Sequence, residues 1–451
     1  MNQFEPILLA LTLTLAGASS AAYAAHAAPG LWRFTFDAAQ QAAGGTLVRP
    51  DMQYSSARGF GFEPGAAVRI AADNGRPAYL TSDRPFFFSA DLPEGNYNVT
   101  VTLGGAQAAT TTVKAELRRL MLEQVATAPG ATVTRSFTVN IRTPRIPAVG
   151  GIAAGRVQLK EPRETVQEAW AWDKRLTLEF NGERPAIRAI DITPVQAPTI
   201  FVLGDSTVCD QPGEPYNSWG QMLPRFLKPG VAVANHGESG ETYRDSLARR
   251  RLDKILSAMR PGDTVLMQFG HNDQKQIKDG KGGPFTTYKD EIRAHVEAIR
   301  AHGGTPVIIS PMERRRFDDS GKIVPSLADY AEAARQSAQE LQAAFIDLNA
   351  MSKPFYEALG PELSQHAFAE REPGRIDNTH HSNYGSYELA QAVLTGMRKA
   401  GVPAAALIAD GYGNFEPSRP DPVAAFAVPP SPQFSNDTPL GDDNVGQRGQ
   451  P

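Results

Sequence analysis

The chain has 451 residues, 41% hydrophobic and 21% charged, with a formal net charge of -4 and one cysteine. That length predicts two domains rather than one core, and the acidic balance argues against a nucleic-acid binder, whose phosphate contacts need a basic surface. Cys209 has no second thiol to pair with, so no internal disulfide is available and core packing must hold the fold.

In chain order, an apolar run from Ile7 to Ala16 comes first, followed by Ala22-Tyr23-Ala24 and Ala25-His26-Ala27. The run is too short to span a bilayer as a mature helix, and both triplets fit a small-x-small cleavage site. Residues 1–27 are therefore expected to be a signal peptide, and the protein to be exported to the periplasm or the medium. No later segment is apolar enough to predict a membrane partner.

Residues 28–195 alternate in polarity. "NYNVTVTL" puts Tyr97, Val99, Val101 and Leu103 on one face, "RSFTVNIRT" does the same with Phe137, Val139 and Ile141, and "RLTLEFNG" with Leu176, Leu178 and Phe180 before an Asn-Gly turn. Period two with Gly and Pro punctuation predicts a β-sandwich, with the phenylalanines of "RPFFFS" as core or edge packing. No grouping of acid, base and nucleophile stands out there.

After "PVQAPT" the pattern changes. Strand-like runs at 199–203, 231–234, 264–269 and 305–310 alternate with segments of helical period, such as "YKDEIRAHVEAIRAHGG", where Ile292, Val296 and Ile299 share a face and Gly303 ends the helix. "SWGQMLPRFL" opens with a capping box at Ser218 and Gln221. Alternating strand and helix over 197–413 predicts a parallel sheet covered on both sides. From 414 to 451 the chain is rich in Pro and polar residues, and a disordered tail is expected.

In an open parallel sheet, loops leaving the carboxyl ends of the strands share one edge, where sites are built. That makes neighbours of "GDS", "NHGESGE", "GHND" and "SPMERRR", with "DNTHHSNYGSYELAQAV" ahead of a last helix that docks Leu389, Val393 and Met397. Ser206 in Gly204-Asp205-Ser206, Gly240 in the second loop, Asn272 in Gly270-x-Asn272-Asp273, and Asp377-x-x-His380 match in order the four blocks of the SGNH or GDSL hydrolase superfamily. "GDSTVCD", "SWGQML", "FGHND" and "DNTHHSNYGS" resemble its rhamnogalacturonan acetylesterase branch, carbohydrate esterase family 12, over residues 197–403. The resemblance implies a flavodoxin-like three-layer α/β sandwich, and its bacterial members carry an all-β sandwich ahead of it, here expected to be galactose-binding-like.

A serine hydroxyl needs a base within hydrogen-bond reach and an acid behind that base, and Ser206, His380 and Asp377 supply those types. Asp377 and His380, three apart, can come from a single loop. His381 rivals His380 on the residues alone, and the spacing in the resembled family favours His380. An oxyanion needs donors: the backbone N–H groups of Ser206 and Gly240 and the amide of Asn272 are the candidates. Asp205 is expected to brace its loop, and Cys209 to be a small buried hydrophobe. His236 and His271 lack any metal-binding motif, so no metal and no cofactor are expected.

The run Glu313-Arg314-Arg315-Arg316 and the group Lys275, Lys278 and Lys281 follow site strands. Arg315, Lys278 and His381 are the candidate substrate contacts, and a uronic-acid polymer would pair with such cations locally. The sequence thus predicts an exported serine esterase acting on acetylated pectic polysaccharide, the rhamnogalacturonan backbone first. Acetyl-xylan or small acyl esters as substrates, acetyl transfer to another sugar, and a catalytically silent glycan binder are the alternatives. Oligomeric state is not legible.

Overall fold

The computed structural model describes residues 30–435 and 439, except 42, 43, 74, 279 and 281. The expected signal peptide lies outside the described residues.

The first half builds two mainly antiparallel sheets face to face. One runs Val133–Ile141, Gly95–Leu103, Ala186–Pro194, Trp32–Thr35 and Thr46–Leu47, with Arg76–Ser82 also paired to Ala186–Pro194 and Val68–Asp73 paired in turn to Arg76–Ser82. The other runs Phe60–Phe62, Phe86–Asp91, Arg175–Asn181, Ala109–Ala115 and Arg119–Thr127. The alternating residues of the sequence face inward: Tyr97, Val99, Val101, Leu103, Phe137, Val139, Ile141, Leu176, Leu178 and Phe180 share one buried cluster. Phe86 and Phe88 join it, while Phe87 turns outward onto Trp170, as a pleat of period two requires.

The second half is a five-stranded parallel sheet of β1 (Thr199–Gly204), β2 (Ala232–Asn235), β3 (Thr264–Gln268), β4 (Thr305–Ile309) and β5 (Ala344–Ile346), in the order 2-1-3-4-5. This is the flavodoxin-like order, whose switch point lies between β1 and β3. Successive residues of β1 face opposite layers. Phe201 and Leu203 pack with Ile292, Val296 and Ile299 of α1 (Lys289–Ala301) and with Tyr330 and Ala334 of α2 (Ala328–Glu340). Ile200 and Val202 pack with Phe355 of α3 (Leu348–Leu363) and Leu389, Val393 and Met397 of α4 (Asn383–Lys399).

Four expectations need correction. Strand β5 was not anticipated, because three residues following α2 show no period of their own. Gln221 does not complete a capping box: Ser218 accepts from the Gln221 N–H, but the Gln221 amide donates to the carbonyls of Leu117 and Gln211 at 2.7 and 3.0 Å. Asp377 and His380 lie on a strand, Arg375–His381, paired with Phe368–Glu372, rather than in a loop. The expected disordered tail does not begin at 414. Residues 414–435 run over both halves: Lys114 donates to Pro429 O and Ser431 Oγ, Asn181 to Pro430 O, and Ser431 N to Glu214 Oε1, all within 2.7–2.8 Å. Backbone polar groups there find partners in the protein, so a Pro-rich segment without a core of its own is held by its neighbours.

The hairpin joining Ala109–Ala115 to Arg119–Thr127 projects from the sandwich into the parallel-sheet half. Arg118 pairs with Glu214 at 2.6 Å and donates to Tyr216 O at 2.7 Å; Arg119 pairs with Asp210 at 2.7 Å with both side chains buried. Asp210 and Glu214 belong to the loop that leaves β1, so the sandwich grips the edge where the site forms.

Candidate active site

β1 ends at Gly204, and the chain turns at Asp205-Ser206. Asp205 Oδ1 accepts from Thr207 N and Oγ1 at 3.0 and 2.7 Å, and Oδ2 meets His271 Nδ1 at 3.2 Å. Its carboxylate is thus taken up by its own turn and by the β3 loop. Burial pushes its pKa up, but the His271 ring and the Thr207 donors outweigh that and leave it below the usual value.

Ser206 Oγ lies 2.9 Å from His380 Nε2, and His380 Nδ1 lies 3.0 Å from Asp377 Oδ2. Asp377 Oδ1 accepts from Thr379 N and His380 N at 2.8 and 3.0 Å. Burial pushes the Asp377 carboxyl up, yet the His380 ring and these donors hold it well below the usual carboxylate range. An ionised Asp377 fixes the proton on His380 Nδ1 and leaves Nε2 to accept from the serine.

His381 corrects an expectation. Adjacent residues of a strand face opposite sides, so His380 meets Ser206 while His381 turns into the core. Its Nε2 bonds Tyr356 OH at 2.8 Å and its ring packs on Phe368 at 4.5 Å. Burial brings its pKa down to about 3. Buried at 1% exposure and neutral, it is no substrate contact.

Gly240 follows β2 with φ +77°, a left-handed conformation costly for residues with a side chain. Asn272 follows β3, and its Nδ2 donates to Glu241 O at 3.1 Å, which ties the two loops together. Among the described residues, neither Ser206 N nor Gly240 N is bonded to a protein acceptor. Ser206, Asn272 and His380 are each 1% exposed, so a carbonyl reaching Ser206 enters a narrow, nearly dry site where such donors act strongly.

The substrate candidates fall elsewhere. Arg315 donates to Pro361 O at 2.5 Å and Ser364 Oγ at 2.9 Å, beside the end of α3, and its N–H donates to Asn378 O at 2.7 Å. It therefore buttresses the strand carrying Asp377. Lys278 ends the short helix Lys275–Lys278; its side chain and all of Lys281 lie outside the described residues. Arg314, beside Arg315, reaches Gln274 Oε1 at 3.0 Å next to the Asn272 loop.

Two residues with no signal beyond their place in the β1 loop also belong to the site. Gln211 Nε2 donates to Ser206 O at 2.6 Å, and the Tyr216 ring meets the His380 ring edge-on, centroids 5.8 Å apart. Arg163, from the end of the sandwich region, joins Gln211 Oε1 at 3.1 Å to Ser239 Oγ at 2.9 Å.

Cys209 is buried, its Sγ 3.4 Å from Ser239 Oγ, and burial pushes the thiol well up, the reverse of a reactive thiolate. His236 packs edge-on against Trp172 and tilted against Phe201 in the core. Among the described residues one group, Glu164, Glu168 and Glu238, has the spacing to hold a cation. Arg163 already sits 2.7 Å from Glu168 and 3.1 Å from Glu238, and Arg251 sits 2.6 Å from Glu164, so guanidinium groups fill that role.

The chain matches the GDSL-like lipase/acylhydrolase family over residues 202–385. The rhamnogalacturonan acetylesterase RhgT of Bacillus subtilis (strain 168) is 37% identical over 220 residues, covering 47% of this chain and 92% of that protein. The uncharacterized esterase YxiM of the same organism is 26% identical over 393 residues, 83% of this chain and 93% of that protein, an extent that reaches ahead of the parallel sheet. The X-ray crystal structure of YxiM covers 83% of this chain and 99% of its own at 24% identity, with a TM-score of 0.44.

Proposed function

The chain belongs to the GDSL-like lipase/acylhydrolase family and is a serine ester hydrolase; from that premise we propose that it removes O-acetyl groups from pectic polysaccharide, with the rhamnogalacturonan backbone as substrate. The names of its relatives support a carbohydrate acetylesterase.

The reaction runs through the chain's own groups. Ser206 Oγ attacks the acetyl carbonyl while His380 Nε2 takes its proton, and Asp377 holds the imidazolium that forms. The N–H groups of Ser206 and Gly240 and the Asn272 amide bond the oxyanion. Collapse expels the sugar alkoxide, which recovers the proton from His380. Water, deprotonated by His380, then cleaves the acetyl-serine and releases acetate.

The observation that carries this reading is the aligned Ser206, His380 and Asp377 series at 2.9 and 3.0 Å. The nearly closed surroundings of Ser206 favour a small acyl group. The test is acetate release from acetylated rhamnogalacturonan, homogalacturonan and xylan by the native protein and Ser206→Ala. Release from the first substrate above the others, abolished in Ser206→Ala, is expected; release at the native rate by the variant would end the mechanism, and preference for xylan would move the substrate. Export rests on the apolar run and small-residue triplets of the N terminus. Protein recovered outside the cytoplasm should start at Ala25 or Ala28, and an intact Met1 on it would overturn the signal peptide.

A further inference from the structure

Where the sandwich hairpin enters the parallel-sheet half, a cavity of about 250 Å³ is lined by Phe87, Trp170, Val166, Pro212, Arg118 and Gln433, among others. It therefore draws on both sheets' halves and on the C-terminal segment. We propose that this cavity is an accessory subsite that holds one uncharged sugar ring of the polysaccharide, flanking the residue deacetylated at Ser206. The proposal deepens the glycan-esterase reading and rests on it.

Three features argue for a sugar. The walls are apolar and aromatic: the Phe87 and Trp170 rings lie 5.3 Å apart at 49°, both only half-buried, and Val166 is 69% exposed at the rim. Such a surface matches the C–H face of a pyranose. Two of the lining residues, Arg118 and Gln433, each carry a buried polar atom, Nε and Oε1, with no hydrogen-bond partner among the described residues. One donates and the other accepts, the pair of functions that sugar hydroxyls answer. Leaving both unmet is costly, and a small turn of either side chain toward a ligand hydroxyl or water in the cavity relieves it. The size suits one ring, since pockets for larger, drug-sized ligands measure roughly 300–1,000 Å³ and this one is smaller.

The charge argues for an uncharged ring. Arg118, the cation among the lining residues, is already neutralised by Glu214 at 2.6 Å. Glu116 also lines the cavity, and burial pushes its carboxyl up to about 8, so it is neutral at pH 7. A uronate would find no unmatched positive charge.

The cavity is tied to the reacting groups by short links. Arg118 donates to Tyr216 O, and the Tyr216 ring abuts His380. Pro212 follows Gln211, which bonds Ser206 O. A ring seated here lies against Pro212, in the loop that carries the nucleophile.

The test compares KM for acetylated polysaccharide with KM for 4-nitrophenyl acetate, which is too small to span both places. In Trp170→Ala and in Val166→Arg, the ratio of the two should rise about tenfold, the loss of one stacked ring contact, and Trp170→Phe should restore it. An unchanged ratio, or a parallel loss on both substrates, overturns the subsite. Should the native protein cleave the small ester but no polysaccharide, the substrate reading falls, and binding then decides the subsite separately. Calorimetric titration of Ser206→Ala with neutral galactan oligosaccharide is expected to give binding weakened about tenfold by added Val166→Arg. No binding, equal binding by both proteins, or preference for a galacturonate oligosaccharide overturns it.

Discussion

At the scale of the residue, the pair His380-His381 separates what a motif carries from what a pleat decides. Both imidazoles are chemically competent, yet one lies 2.9 Å from Ser206 Oγ and the other bonds Tyr356 in the core. His380→Ala should abolish acetate release, whereas His381→Gln, which can keep the Tyr356 bond, should retain most of it; equal loss in both would contradict the assignment. Asn272→Ala removes one oxyanion donor and should lower kcat by about 10²–10³ with little change in KM. A matching rise in KM would mean that Asn272 instead binds the ground state. The types of these residues were readable in sequence because the chemistry demands them. Gln211 and Tyr216 were not, because a glutamine or tyrosine in a loop has no pattern to betray it.

At the scale of the element, the strand order brings the β1, β2 and β3 loops to one edge, and close packing there leaves little slack. A Cβ on Gly204 would stand 2.5 Å from both Gln268 O and Val208 Cγ2. Gly204→Ala should therefore cost about 1–3 kcal/mol as overpacking does, seen as a lower urea midpoint with unchanged slope; an unchanged midpoint would show that β1 and β3 can part. The buried Arg119–Asp210 pair has the larger stake. Arg119→Met leaves Asp210, among the described residues, with Asn235 Nδ2 at 2.9 Å as its remaining hydrogen-bond donor, and should destabilise the protein by about 3–5 kcal/mol. Period two and period 3.6 exposed the long elements in sequence, while β5 and the Arg375–His381 hairpin escaped because they are short and take their order from neighbours.

At the scale of the whole molecule, Arg118, Arg119 and Arg163 from the first half meet Glu214, Asp210 and Glu238 from the second, all buried. Separating the halves would strand these charges, so calorimetry should record one cooperative unfolding transition; two resolved transitions would contradict the coupling. Acid should act through buried histidines. Burial lowers His295 to about 4, below the ~6.5 of an unfolded histidine, so between those values the unfolded chain binds the extra proton and stability falls as pH falls. The stability of the native protein over His295→Gln should shrink by about 2 kcal/mol from pH 7 to pH 5, and a constant difference would exclude the histidine as the cause.

By itself the sequence determined the two architectures, the four blocks of catalytic chemistry and their order along the chain, because each is a local pattern of polarity or residue type. Tertiary structure alone decided which histidine faces Ser206, that Arg315 buttresses Asn378, that residues 414–435 strap the two halves, and that arginines of the sandwich hold the β1 loop. Those contacts join residues up to several hundred positions apart through single ion pairs and hydrogen bonds, and such pairings leave no periodic trace in the order of amino acids.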